Sequence, residues 1–250
     1  GRMDVLGLDP SRDRKRLAYR IGSVFGQKSQ LWFHLPPTDS FALLGAIYDV
    51  PKDTLKRRVA ELTERFELGD LLETPVRKLS LGQRIRCEVA ASLLHKPELI
   101  ILDEPTIGLD VVVKQRIREL ILELNREKGT TIFFTSHDMG DVEQVCRRAL
   151  VIDQGRILLD KPVAALRNEY LHTKVIAVRF HTDQALPAWD GVLARRAEGF
   201  AWLLTVDTRA NPIAAVMQAL TATGNIEDIT VSDPPMEDVI ADIFKRQVPA

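Results

Sequence analysis

The run Leu99-Ile100-Ile101-Leu102 carries no polar residue on either side of its pleat, and it ends in two adjacent carboxylates, Asp103 and Glu104. A strand with one wet face alternates apolar and polar residues. A strand this apolar belongs in a parallel sheet covered on both faces. Ile132–Phe134 and Ala149–Ile152 read the same way. Amphipathic stretches separate these strands. The longest follows Asp110, sets Val113, Ile117, Leu120, Ile121 and Leu124 on one stripe, and stops near Gly129. Strands alternating with helices predict an α/β core, up to about Phe33 and again from about Pro97 to Pro162. Asp153-Gln154-Gly155 predicts a turn joining two short strands.

From about Leu35 to Lys96 strand signals vanish and helical patterns take over, with Pro51 suited to the first turn of a helix running toward Phe66. A separate small α+β unit is expected from about Thr173. Ile176, Val178 and Phe180 alternate, as do Phe200, Trp202, Leu204 and Val206, and a last helix carries Met236, Val239, Ile240, Ile243 and Phe244. The net charge of −1 gives no electrostatic reason for a nucleic-acid partner, so none is expected. Arg12, Arg14, Lys15, Arg16 and Arg20 read as a solvated face. Cys87 and Cys146 both lie in helical patterns and point to no disulfide framework and no metal site. No apolar run approaches the ~18 residues of a membrane span.

Several short stretches carry chemistry. In Leu79-Ser80-Leu81-Gly82-Gln83, Ser80 is spaced as an N-cap and Gln83 as the third helical residue, the pattern of a capping box. The N–H groups at such a helix start attract anions, and Gly82 permits close backbone approach. Asp103 ends a buried strand, so its carboxylate projects at the carboxyl edge of the sheet, where open α/β folds bind ligands. Glu104 follows directly. Taken alone, an Asp-Glu pair is a solvated strand end, and a histidine just after a strand, such as His137 in Thr135-Ser136-His137-Asp138, is structural. His34, His95, His172 and His181 read as surface or packing residues. Leu31-Trp32-Phe33-His34-Leu35-Pro36 is unusually apolar for a connection. It suits either packing beneath the helical segment or a cleft for a partner helix.

Taken in order, these pieces resemble an ATP-binding-cassette (ABC) ATPase. Leu79–Gln83 resembles its signature sequence, Leu99–Pro105 its Walker B strand, Gly108-Leu109-Asp110 its D-loop, Thr135–Asp138 its switch histidine, and Gly26-Gln27-Lys28 its Q-loop. The resemblance covers roughly Met3 to Asp160. It implies a RecA-like P-loop NTPase core with an inserted helical subdomain, and ATP and Mg²⁺ as cofactors. It implies that Asp103 holds Mg²⁺ through water, that Gln27 touches metal or water, that Glu104 polarises the attacking water, and that His137 bonds the γ-phosphate. Ser80, Leu81, Gly82, Gln83 and Asp110 would serve a nucleotide bound to the other subunit of a two-fold dimer. The commoner family pattern has glycine where this chain has Leu81.

No stretch of the 250 residues reads G-x-x-x-x-G-K-[ST], the Walker A loop whose backbone cradles nucleotide phosphates. Met3–Pro10 resembles the strand and turn that follow that loop, so the expectation is a cassette missing its N-terminal part and inactive alone. The expected division is an ATPase domain over 1–165, its helical subdomain over about 35–96, and a small α+β domain over 173–250. The implied function is the ATP-hydrolysing subunit of a transporter, most similar to single-cassette exporter subunits. It would pair with a second ATPase subunit, as homodimer or heterodimer, and with a separate integral membrane permease on the inner face of the cell membrane. Two other readings stand beside it. One is a soluble ABC ATPase of the translation or DNA-repair type, against which the single cassette and lack of heptads argue. The other is a folded but catalytically silent cassette.

Overall fold

The computed structural model describes residues 1–26, 28–170, 172–183, 185–186 and 190–234, with backbone alone at 127–128 and 167–170. The chain divides into two compact units, Gly1–Val145 and Cys146–Ala250.

The first unit runs α1 (Arg14–Ala18), β1 (Ile21–Phe25), α2 (Pro37–Ile47), α3 (Lys52–Phe66), α4 (Leu81–Ser92), β2 (Leu99–Asp103), α5 (Val111–Lys128), β3 (Thr131–Thr135) and α6 (Met139–Val145). Among the described residues the sheet has three parallel strands in the order β1-β2-β3, with Phe25, Asp103 and Thr135 level at the carboxyl ends. The helical stretch expected between 35 and 96 is α2, α3 and α4. Pro51 stands one place earlier than expected, at the N-cap of α3, and the helix closes at Glu67 with φ +53°. Arg12, Arg14, Lys15 and Arg16 are exposed, while Arg20 is drawn out of that group to Glu98, Nε to Oε1 at 2.6 Å.

Helix α5 shows how local chemistry sets an element. The Asp110 carboxylate accepts from the Val113 N–H at 2.9 Å, which satisfies one of the helix's unpaired donors. Ile117, Leu120, Ile121 and Leu124 fall on one stripe and are each 1% exposed. Burying four such side chains contributes about 1.5–3 kcal/mol each. Gly129, at φ +63°, then ends the helix in the left-handed conformation that glycine adopts without strain.

Within the described residues of the first unit, one face of the parallel sheet is covered. Val24, Ile100 and Leu102 lie in a core shared with Ile85, Val89, Ile117 and Leu120 from α4 and α5. The opposite face carries Ser23, Phe25, Ile101 and Phe133, and Phe133 is 57% exposed. The expectation of strands with no wet face is corrected here, because strand apolarity reports a capacity for two-sided burial and does not supply the second cover.

The second unit begins with β4 (Arg148–Asp153) and β5 (Arg156–Pro162), then α7 (Val163–Tyr170). Gln154 (φ +46°) and Gly155 (φ +75°) form the expected turn, both in the left-handed region that a two-residue hairpin demands. The expectation of Ala149–Ile152 as another parallel strand is thereby overturned. A two-residue connection returns the chain antiparallel onto itself, so β4 pairs with β5 in its own two-stranded sheet. The unit continues with β6 (Thr173–Phe180), β7 (Val192–Glu198), β8 (Ala201–Asp207), α8 (Ile213–Thr221) and β9 (Ile226–Ser232). Those four strands form an antiparallel sheet in the order β7-β8-β6-β9. Ile176, Val178, Phe180, Leu204 and Val206 are buried with Val216 and Leu220 of α8, and Trp202 packs against them, so the first alternation marks a core face; of the second, Phe200 precedes β8 and is 56% exposed. The helix expected around Met236–Phe244 lies outside the described residues.

Candidate functional site

The carboxyl edge of the parallel sheet gathers three of the expected residues. Asp103 is the last residue of β2, and its Oδ1 accepts from Thr135 Oγ1 of β3 at 2.6 Å. Glu104 follows at φ +51°, a left-handed conformation uncommon for a side chain of this size. Its backbone N–H donates to Thr135 O at 3.1 Å, and its Oε2 lies 2.9 Å from His137 Nδ1. The turn of the backbone at Glu104 therefore aims its carboxylate at the histidine beyond β3. Strand β1 closes this edge from the other side, where Gly26 N–H donates to Asp103 O at 2.8 Å. A Cβ on Gly26 would stand 2.0 Å from Glu104 O, so only glycine fits. Gln27, the next residue, lies outside the described residues.

Behind this edge sits a polar network that the sequence did not announce. Asp141, at the start of α6, is 0% exposed. Its Oδ2 accepts from Thr106 Oγ1, close behind Glu104, and from Ser136 Oγ at 3.3 Å, beside His137. Its Oδ1 accepts from Arg118 of α5, through Nε at 2.7 Å and also through Nη2. Lys114 donates to Asp138 at 2.7 Å and holds that carboxyl below its usual range. One buried carboxylate thus ties the segments that carry Glu104 and His137 to α5. The hint available in sequence was slight: an Asp spaced three residues from Asp138 at a helix start.

A second grouping forms at the start of α4. Ser80 Oγ accepts from Gln83 N–H at 3.2 Å, and Gln83 Oε1 accepts from Ser80 N–H at 2.9 Å, so the capping box is complete. Gly82 is buried against α5, and a Cβ there would meet Val113 Cγ1 at 2.5 Å. Gly108, at φ +73°, lies against Leu81. In this fold the space left by Gly82 admits Val113 from the segment that Asp110 caps.

The donor set at the sheet edge can be tested for a divalent cation. Asp103 is an exposed carboxylate, a hard oxygen ligand of the kind Mg²⁺ takes one or two of while keeping several waters. No cluster of three or more His, Cys, Asp or Glu suited to a metal exists among the described residues. The fit is to a cation held largely by substrate phosphates and water. A cavity of about 520 Å³ near Arg58, Lys96 and Thr131 lies at the opposite, amino-terminal ends of the strands and is no part of this edge.

Trp32, Phe33 and Leu35 are 48%, 51% and 39% exposed, while Leu31 is buried, so the apolar connection packs through one residue and presents the others. No helix among the described residues is long and apolar enough to cross a membrane.

Residues 7–140 match the family model described as "AAA domain, putative AbiEii toxin, Type IV TA system". The ABC transporter ATP-binding protein NatA of Bacillus subtilis is 32% identical over 158 residues, which are 63% of this chain and 64% of that protein. This chain therefore spans just under two thirds of that relative. The Nod factor export ATP-binding protein I of Ralstonia nicotianae is 31% identical over 237 residues, 93% of this chain and 73% of that protein. Among solved structures, cbiO1 of Clostridium perfringens, part of the ABC transporter complex cbiONQ, superposes with a TM-score of 0.61 at 29% identity, covering 68% of each chain.

Proposed function

Because the chain belongs to the ABC family of ATP-binding proteins, we propose that it is the ATP-hydrolysing subunit of a transporter that drives a separate membrane permease in the export direction. The observation that carries this reading is the Glu104–His137 pair, 2.9 Å apart beside Asp103 at the carboxyl edge of a parallel sheet. Phosphoryl transfer to water asks the protein for positioning and for a proton acceptor beside the nucleophile. Glu104 takes a proton from the water as its oxygen attacks the γ-phosphorus and the bond to the β-phosphate oxygen breaks. His137 holds the Glu104 carboxylate through Nδ1–H and presents Nε2 outward. In this reading the other ring nitrogen serves the γ-phosphate. Asp103 would hold Mg²⁺, and Gln27 would complete that set. The cation, when bound, draws charge from the β- and γ-phosphate oxygens.

Ser80, Leu81, Gly82, Gln83 and Asp110 serve, in this reading, a nucleotide carried by a second subunit across a two-fold axis. The two-fold relation sets each helix start against its partner's phosphate site. The permease docks against Trp32, Phe33 and Leu35, at the cytoplasmic face of the membrane. The cassette extends to about residue 165, and the α+β unit from 173 is an appendage. The names of relatives, among them DrrA3 of Streptomyces coeruleorubidus for daunorubicin resistance and BcrA of Bacillus licheniformis for bacitracin transport, support export as the direction.

The test joins a Walker A strand, loop and helix ahead of Gly1 and compares Glu104 with Glu104→Gln. Glutamine keeps the shape and loses the base, so ATP binding persists while hydrolysis falls by about 10²–10⁴. A folded Glu104→Gln protein that no longer binds ATP would overturn the assignment. The 250 residues contain no G-x-x-x-x-G-K-[ST] loop. Mixed with an intact cassette they complete one sandwiched nucleotide, which Ser80→Arg abolishes by intrusion. Analytical ultracentrifugation with labelled ATP reads that stoichiometry.

A further inference from the structure

One buried charge in the first unit is unused by the chemistry above. Glu88 lies two turns into α4, the helix capped by Ser80, and is 2% exposed. Its carboxylate points at the connection after Gln27. Ser29 Oγ donates to Oε1, and Gln30 N–H donates to Oε1 at 3.0 Å and to Oε2 at 3.2 Å. Leu31 N–H lies 3.5 Å from Oε1. Burial pushes the Glu88 carboxyl up, and the donors from Ser29, Gln30 and Leu31 pull the other way, as does Arg84 one turn back on the same helix.

The same connection is fastened at two further points. Gln30 Nε2 donates to Ser23 O of β1 at 2.6 Å, and Trp32 N–H donates to the buried Ser40 Oγ of α2 at 3.1 Å. At its other end, α4 is pinned to β1, since a Cβ on Gly22 would stand 2.6 Å from Ser92 O. Glu88 is therefore the acidic group that joins the 29–31 segment, and through it the exposed Trp32 and Phe33, to the helix capped by Ser80.

We propose that Glu88 is a positioning residue that makes the 29–31 segment and the Ser80 helix one mechanical body, so that displacement at Trp32–Phe33 is transmitted to the helix start. The functional meaning rests on the cassette reading. The linkage itself does not, because it is a property of this chain without nucleotide. A carboxylate serves better than an amide here: it only accepts, and every group facing it from the connection donates.

The experiment is amide hydrogen exchange by NMR on the 250-residue chain. Glu88→Ala raises the exchange of the Gln30 and Leu31 amides at least tenfold while the Val89–Ser92 amides hold. Ser29→Ala raises it less, and adds nothing when combined with Glu88→Ala because the acceptor is already gone. Transmission is read from Trp32→Ala, which shifts the amide resonances of Ser80–Gln83 in the parent and leaves them unmoved in the Glu88→Gln background. Unchanged exchange at Gln30 and Leu31 in folded Glu88→Ala overturns the proposal. Should that variant not fold, unchanged exchange in Ser29→Ala does the same. Equal resonance shifts in both backgrounds overturn the transmission. Failure of the ATPase reading leaves each of these outcomes where it stands.

Discussion

Replacing Asp141 by alanine tests whether one buried carboxylate holds the carboxyl edge of the sheet together. Asp141 is 0% exposed and Arg118 12% exposed, so the substitution strands a guanidinium that has little water to turn to. Gln144 Oε1 remains for Arg118 Nη1 at 3.2 Å, but Nε and Nη2 lose their acceptor, and the buried Thr106 hydroxyl loses its own. Breaking a buried pair from one side costs about 3–5 kcal/mol, and an orphaned hydroxyl about 1–3 kcal/mol. Because the groups share one network these do not add, and the expected loss is about 3–5 kcal/mol. With a urea m-value of about 2 kcal/mol/M, the midpoint falls by about 1.5–2.5 M. The assay is urea unfolding followed by Trp32 fluorescence with Trp189 and Trp202 changed to phenylalanine, so that the probe reports the first unit. Asp141→Asn keeps an acceptor and loses about 1.5–3 kcal/mol. The paired change Arg118→Leu with Asp141→Leu recovers most of the loss, since no charge is left unpaired. A loss below about 1 kcal/mol in Asp141→Ala, or no recovery in the double variant, would refute the argument.

Gly82→Ala places a Cβ against the β-branched Val113, whose rotamer is stiff on a helix, and costs about 1–3 kcal/mol; Val113→Ala rescues it in a double-mutant cycle by urea unfolding. Ser80→Ala removes one half of the capping box and costs about 1 kcal/mol, whereas Ser80→Gly costs a few tenths. His95, stacked on Tyr48 with ring centroids 3.8 Å apart, has its pKa lowered from 6.5 by burial, against a bond from its Nε2 to Ile21 O. The unfolded chain then binds the proton first, so this stability is full above about pH 6.5 and is lost as the pH falls from there through the folded-state pKa. His95→Phe flattens that part of the urea-midpoint profile. Burial pushes the Cys87 thiol up to about 12, so iodoacetamide at pH 8 leaves it unmodified in the folded chain and alkylates it in urea.

What could be read without coordinates had local causes. The stripe and caps of α5, the capping box at Ser80 and the two-residue turn at Gln154-Gly155 all depend on contacts within four residues, which a sequence displays directly. Asp103 and Glu104 at the end of an apolar run were legible for the same reason, since strand length and polarity place them at the sheet edge. What only the tertiary structure decided involves partners far apart in the chain. The open face beneath Phe133 and the antiparallel pairing of β4 depend on which neighbour is present, and apolarity does not name the neighbour. Glu88 and Asp141 look like ordinary helical acids in sequence. Ser29, 59 residues from Glu88, and Thr106, 35 residues from Asp141, make them buried acceptors. Gly82 offers no periodic signal for the approach of Val113. Desolvating a carboxylate is tolerable only where donors converge on it, and convergence is a property of three dimensions.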